Sequence, residues 1–152
     1  MLEKYEIMPA TQKINFFSDD ISPTLRNRTK LKDFIEDVFK KEKREIELIS
    51  YIFCSDRALL LINKKFLKHD FFTDIITFDL SSGKKKISAE IYISVERVKE
   101  NAKILGVSSR SEIHRVIFHG ALHLCGFTDK SKKDAEKIRK MENKLLNKFF
   151  NK

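Results

Sequence analysis

The chain has 152 residues, of which 41% are hydrophobic and 13 are phenylalanine, enough for one domain with a substantial core. Charged residues make up 35% and the net charge is +9, which points to a polyanionic partner, usually RNA or DNA, although a lysine-rich solvated surface gives the same balance. Two distant cysteines, Cys54 and Cys125, exclude a disulfide framework and a four-cysteine zinc site; no apolar run is long enough to span a bilayer, and the charged opening Met1-Leu2-Glu3-Lys4-Tyr5-Glu6 does not read as a secretion signal, so a cytoplasmic protein with reduced thiols and no membrane partner is expected.

Taken in chain order, about residues 13–17 read as a first strand. Leu31, Phe34, Ile35, Val38 and Phe39 follow helical spacing and predict a helix over about residues 29–43. Residues 45–54 are β-like, with Ile46, Leu48, Ser50 and Ile52 on one face and Ile49, Tyr51 and Phe53 on the other. Apolar residues on both faces predict an interior strand. Ser55 can cap a helix running to about Leu67. Residues 74–80 and 86–93 flank Ser81-Ser82-Gly83-Lys84 and read as a hairpin. Ser94 can cap the next helix, which Gly106 ends. Ser109-Arg110-Ser111-Glu112 has the form of a capping box, as does Ser131-Lys132-Lys133-Asp134. Between them runs a helix that is apolar nearly all round, through Val116, Ile117, Phe118, Leu122 and Leu124, which predicts burial at the centre of the domain. Ile138, Met141, Leu145 and Phe149 give the last helix one apolar stripe. The expectation is a single α+β domain over residues 1–152, with about four strands in a mixed sheet, about five helices, and a metal site at the end of the central buried helix.

The most informative stretch is His119-Gly120-Ala121-Leu122-His123-Leu124-Cys125-Gly126-Phe127-Thr128-Asp129. Two histidines four apart on a helix lie one above the other, so both rings can reach one ion. Gly126 offers a helix stop in the left-handed region, and the reversed chain can bring Asp129 back towards the rings. Two imidazoles and a carboxylate leave one coordination position open, the pattern of a catalytic metal site. The competing reading is a pair of core histidines bonded to backbone or to each other. His114 falls about 140° around the helix from His119 and reads as a surface or supporting residue outside the site. His69 lies in a loop. A zinc peptidase of the His-Glu-x-x-His type needs a glutamate where Gly120 stands; glycine removes that base and is expected to leave room beside the helix. Cys125 reads as a small buried side chain at the helix end rather than a fourth ligand.

His119-Gly120-Ala121-Leu122-His123-Leu124-Cys125-Gly126-Phe127 followed by a third ligand resembles the YbeY family of bacterial rRNA-maturation endoribonucleases. The resemblance extends upstream to Ile62-Asn63, to Asp70-Phe71-Phe72-Thr73-Asp74-Ile75-Ile76-Thr77-Phe78 and to Ala89-Glu90-Ile91-Tyr92-Ile93-Ser94, with Asn101-Ala102 and Glu112 also fitting. It implies a zinc-dependent endoribonuclease that prefers single strands, acts in rRNA maturation and ribosome quality control, and works on rRNA or ribosomal particles. His119, His123 and Asp129 would hold one zinc ion. Three departures stand out: Asp129 occupies the position of the family's third histidine, Leu67 that of an arginine, and Phe72 that of a proline. Aspartate is a competent zinc ligand.

Two carboxylates are weak candidates for catalysis. Asp74 either lines the cleft or caps a turn, and Glu90 is either a solvent-face strand residue or a cleft carboxylate. Lys64, Lys65, Lys68 and Lys130 are candidates for phosphate contacts, with further lysines at 84–86, 132 and 133; each cluster alone is more often a solvated face, and clusters framing a metal cleft would make a groove that tracks a backbone. Phe66, Phe71 and Phe72 lie near them and can offer stacking surface or packing. Two rival functions stay open: another metal-dependent hydrolase of peptidase-like type, and a ribosome-associated RNA-binding factor whose metal is structural.

Overall fold

The computed structural model describes residues 12–83 and 85–151. They form β1 (Ile14–Ser18), α1 (Arg28–Lys41), β2 (Glu45–Cys54), α2 (Asp56–Ile62), β3 (Ile75–Asp79), β4 (Lys86–Ser94), α3 (Val95–Leu105), α4 (Ser109–Leu124) and α5 (Lys132–Phe149). The predicted order of elements holds. The sheet order is β1-β2-β4-β3, with β1, β2 and β4 parallel and β3 antiparallel to β4. The chain is thus an α+β domain built on one mixed four-stranded sheet. The predicted hairpin is the antiparallel β3–β4 pair, in which Ile75 faces Ile93 and Thr77 faces Ile91. Lys84 lies outside the described residues.

Local sequence explains most elements. In α1 the buried Leu31, Ile35, Val38 and Phe39 make one apolar stripe. β2 is interior, between β1 and β4, as its two apolar faces require. One side-chain assignment on β2 differs from simple alternation. Ile46 packs in the main core with Ile49, Tyr51 and Phe53, not with Ile52. The register shifts between Ile46 and Leu48, and an extra residue in one strand flips the faces beyond it.

The main core lies between one face of the sheet and α1, α4 and α5, around Phe39, Tyr51, Ile91, Ile117 and Phe118. The other face carries a smaller cluster of Ile52, Cys54, Leu59, Ile76 and Tyr92 under α2. α4 is the central helix, and the Tyr51 hydroxyl donates to its Ile117 carbonyl at 3.0 Å from inside the sheet. Its N-cap lies one residue earlier than the capping-box pattern predicts: Ser108 Oγ accepts from the Ser111 amide at 3.0 Å. That shift frees Glu112 from capping and turns it into the interior. At α5 the predicted cap holds, with Ser131 Oγ accepting from the Asp134 amide.

α2 ends in a widened π turn, Asn63–Leu67, rather than continuing as α-helix. Asn63 is buried there, and its Nδ2 donates to the Phe71 carbonyl at 2.9 Å, pinning the loop that leads to β3. No helix among the described residues is long and apolar enough to cross a membrane.

Candidate metal centre

His119 and His123 lie on the last turns of α4, one turn apart, with their Nε2 atoms 2.8 Å from each other. The helix then stops in a Schellman turn. Gly126 takes φ +99°, its amide bonds the His123 carbonyl, and the Phe127 amide bonds the Leu122 carbonyl, each at 3.0 Å. The reversal brings Asp129 Oδ2 to 3.6 Å from both Nε2 atoms. His119, His123 and Asp129 are therefore brought together, and they form a group that can hold a metal ion. A tetrahedral ion with bonds of roughly 2.0–2.2 Å sets its ligands about 3.3–3.6 Å apart. The two histidine–aspartate spacings meet that range, and the histidine pair sits slightly inside it.

The strongest sign that the group suits a cation is where the ring protons are held. His119 Nδ1 lies 2.5 Å from Glu142 Oε2, and His123 Nδ1 lies 2.9 Å from the Phe127 carbonyl. An ionised carboxylate and a carbonyl can only accept, so each Nδ1 carries a hydrogen, and the neutral form of each ring has its lone pair on Nε2. Both Nε2 atoms then present lone pairs to the same point, beside a carboxylate that also only accepts. Three acceptors converge with no donor among them, an arrangement that a cation relieves.

Behind His119 stands a buried charge network. Glu142 is 1% exposed and receives Arg115 Nη1 at 3.0 Å. Arg115 also pairs with Glu112, again 1% exposed, one turn earlier on α4. Burial pushes the Glu142 carboxyl up, but the hydrogen bond from His119 and the charge and hydrogen bond of Arg115 outweigh it and hold it below the usual carboxylate range. Sequence reading missed Glu142. The signal was present: it falls four residues after Ile138 and three before Leu145, a carboxylate inside the apolar stripe of α5.

His119, His123 and Asp129 form one wall of an open cleft of about 520 Å³. Thr73, Asp74, Thr77 and Asp79, on and just before β3, form the other. Asp74 thus faces the candidate metal group across the cleft. Glu90 does not. It is buried, accepts from the Tyr92 hydroxyl at 2.6 Å, and alternates with Ile91, which packs against α4, so it points to the opposite face of the sheet. It is neither solvent-facing nor in the cleft.

Two further expectations are corrected by packing. Gly120 leaves no room beside the helix: a Cβ there would meet Ile75 at 3.0 Å and Ile91 at 3.2 Å, so glycine lets α4 lie directly on the sheet. His114 is not on the surface. It is 1% exposed among Phe118, Phe149 and Phe150, with Nδ1 on the Arg110 carbonyl at 2.7 Å and Nε2 without a partner. Among the described residues the cleft lining includes no candidate lysine; Lys64, Lys65, Lys68 and Lys130 are exposed, and Lys64 pairs with Asp70 at 3.3 Å. Cys125 lies outside the candidate group, and burial first, then Glu42, pushes its thiol up to about 12, as expected of a small buried residue. Cys54 is also free and buried.

The family model described as "Endoribonuclease YbeY" matches residues 13–150. An "Endoribonuclease YbeY" of Cytophaga hutchinsonii is 45% identical over 135 residues, covering 89% of this chain and 94% of the relative. One of Porphyromonas gingivalis is 44% identical, covering 88% of each. The solution structure of a Thermotoga maritima protein shares the fold, with a TM-score of 0.63 over 91% of this chain and 89% of that one at 24% identity. With nearly the whole described chain matched by the family model, this protein belongs to the YbeY endoribonuclease family.

Proposed function

We propose that the chain is a zinc-dependent endoribonuclease, preferring single strands, that acts in rRNA maturation and ribosome quality control in the cytoplasm. Its substrates are rRNA segments, free or within ribosomal particles. The observation that carries this reading is the convergence of two proton-free Nε2 atoms and the Asp129 carboxylate at an open cleft, in a chain of an endoribonuclease family. His119, His123 and Asp129 hold the ion. When bound, zinc supplies Lewis acidity towards a phosphoryl oxygen and towards water.

The chain's own groups do the rest. Glu142 and the Phe127 carbonyl keep the ring hydrogens on Nδ1, so both Nε2 atoms stay free to ligate. Asp74 on the opposite wall is the candidate base, its carboxylate oxygen taking up a proton from the attacking water as that oxygen bonds to phosphorus and the leaving ribose oxygen departs with a proton from solvent. Lys64, Lys65, Lys68 and Lys130 hold phosphates beyond the cleft, within a chain of net charge +9. Single-stranded or loop RNA is preferred because its backbone can be splayed along a groove. A second reading, an RNA-binding factor with a structural metal, draws support from Leu67, an exposed apolar residue where the resemblance calls for an arginine.

The test is cleavage of rRNA fragments and ribosomal particles by wild type and His123→Ala, purified in parallel. The variant should lose cleavage while RNA binding falls much less, and chelation should stop the wild type until metal is restored. Metal-loaded wild type that cuts neither substrate establishes the binding-factor reading instead.

A further inference from the structure

Phe71 and Phe72 are 56% and 52% exposed, although large aromatic side chains are ordinarily well buried. They immediately precede Thr73 and Asp74, which line the cleft, so the segment that carries the rings runs directly into the cleft wall. Neither is a loose apolar side chain. The imidazole of His69 stacks on Phe71, with ring centroids 5.1 Å apart and planes 22° from parallel. The Arg97 guanidinium lies over the Phe72 ring at 5.0 Å and is itself held by Asp56 in a bidentate pair at 2.6 and 3.3 Å. The Phe71 backbone is fixed by the buried Asn63 side chain at the π turn. Each ring thus has a planar group against it, remains half exposed, and rides on a pinned loop.

We propose that Phe71 and Phe72 form a base-stacking platform that takes unpaired bases of single-stranded RNA next to the bond being cut. This rests on the endoribonuclease reading and extends it to what selects the strand. The occupant follows from three features. The segment joins the cleft wall at Thr73, so a strand lying in the cleft and extending past Thr73 reaches it. Exposed Lys64, Lys65 and Lys68 precede the two rings on the same segment, Lys64 in an ion pair with Asp70, which suits a polyanion over an apolar protein partner. An unpaired base offers a flat face, whereas a base within a duplex is already stacked on both sides. Stacking on an aromatic side chain changes affinity by about fivefold to 150-fold per base, and it tolerates any sequence.

The experiment measures equilibrium binding, by fluorescence anisotropy, of a short labelled single-stranded RNA and of the same strand with abasic sites. Wild type, Phe71→Leu, Phe72→Leu and the double variant are compared, with thermal unfolding to check that each folds. Wild type should prefer the intact strand by about fivefold or more. The double variant should bind both strands alike, near the abasic level, with the salt dependence unchanged because the lysines remain. If wild type binds and cleaves RNA but does not distinguish intact from abasic strands, the platform is wrong and the endoribonuclease reading stands. If the folded double variant keeps the full preference, the platform is equally wrong. If wild type binds no RNA at low salt, both fall together.

Discussion

Replacing Glu142 separates what holds the metal from what holds the fold. The carboxylate is 1% exposed and touches His119 Nδ1 and Arg115 Nη1, with Arg139 Nη1 further off at 3.9 Å. Glu142→Gln keeps the shape and an oxygen acceptor but removes the charge. Loss of a partner of this kind lowers metal affinity by about 10- to 100-fold, equivalent to ~1.4–2.7 kcal/mol. Glu142→Ala does more: it leaves the His119 Nδ1–H unpaired and strips Arg115 of one of its two buried carboxylates. Breaking a fully buried pair costs about 3–5 kcal/mol. Arg115 keeps Glu112, so a loss nearer ~2–3 kcal/mol is expected. The assay is zinc competition against a chromophoric chelator, with urea unfolding of the metal-free proteins alongside. Glu142→Asp should recover part of the affinity. A Glu142→Gln protein that is less stable yet binds zinc within twofold of wild type would refute the link from α5 to the ion and leave Glu142 as a purely structural tie.

Two other perturbations probe the same neighbourhood. Asp129→Ala should weaken zinc binding, whereas Asp129→His should retain it; equal affinity for wild type and Asp129→Ala in the chelator assay would remove Asp129 from the ligand set. His114 should make the fold acid-sensitive. Burial holds its pKa below the ordinary value of about 6.5, the Arg110 carbonyl opposing and the Arg110 charge assisting. Between the two values the unfolded chain binds the extra proton, so stability is fully present above about 6.5 and is lost as pH falls from there towards the folded value. His114→Phe removes the proton site, and its melting temperature should decline less than that of wild type between about pH 7.5 and 5; parallel declines would show that other groups set the acid limit.

The fold was legible where periodicity is strong. α1 and α5 carry single apolar stripes, β2 carries two apolar faces, and Ser55, Ser94 and Ser131 sit at the caps the sequence predicts. What escaped were departures of a single residue. The bulge at Ile46 and Leu48 moves one side chain across the sheet, and the cap at Ser108 moves Glu112 inward. Neither leaves a composition signal, because each is decided by how elements dock. The candidate ligands were visible for the opposite reason. His119, His123 and Asp129 lie within one turn-and-reversal, so local helix geometry and a glycine stop bring them near each other with no knowledge of the tertiary fold.

The groups behind the candidate ligands come from elsewhere in the chain. Glu142 lies 23 residues beyond His119 on another helix, and it reaches the ring only because α5 packs across α4. A carboxylate within an apolar helical stripe is costly to bury without partners, and here Arg115 and His119 are those partners. The two buried carboxylates share the Arg115 guanidinium, Arg139 Nη1 lies 3.9 Å from the same Glu142 oxygen, and the other Glu142 oxygen is directed at His119. Misplaced charges in an apolar pattern therefore carried the information that ligand spacing did not: Glu142 and Glu112 both break the apolar pattern of buried helices, and both belong to the network behind the candidate ion site. Glu90 breaks the pattern of a buried strand in the same way, yet its partner is Tyr92 on the far face of the sheet. A buried charge in the sequence thus announces a partner, and only the packing tells whether that partner leads to the site.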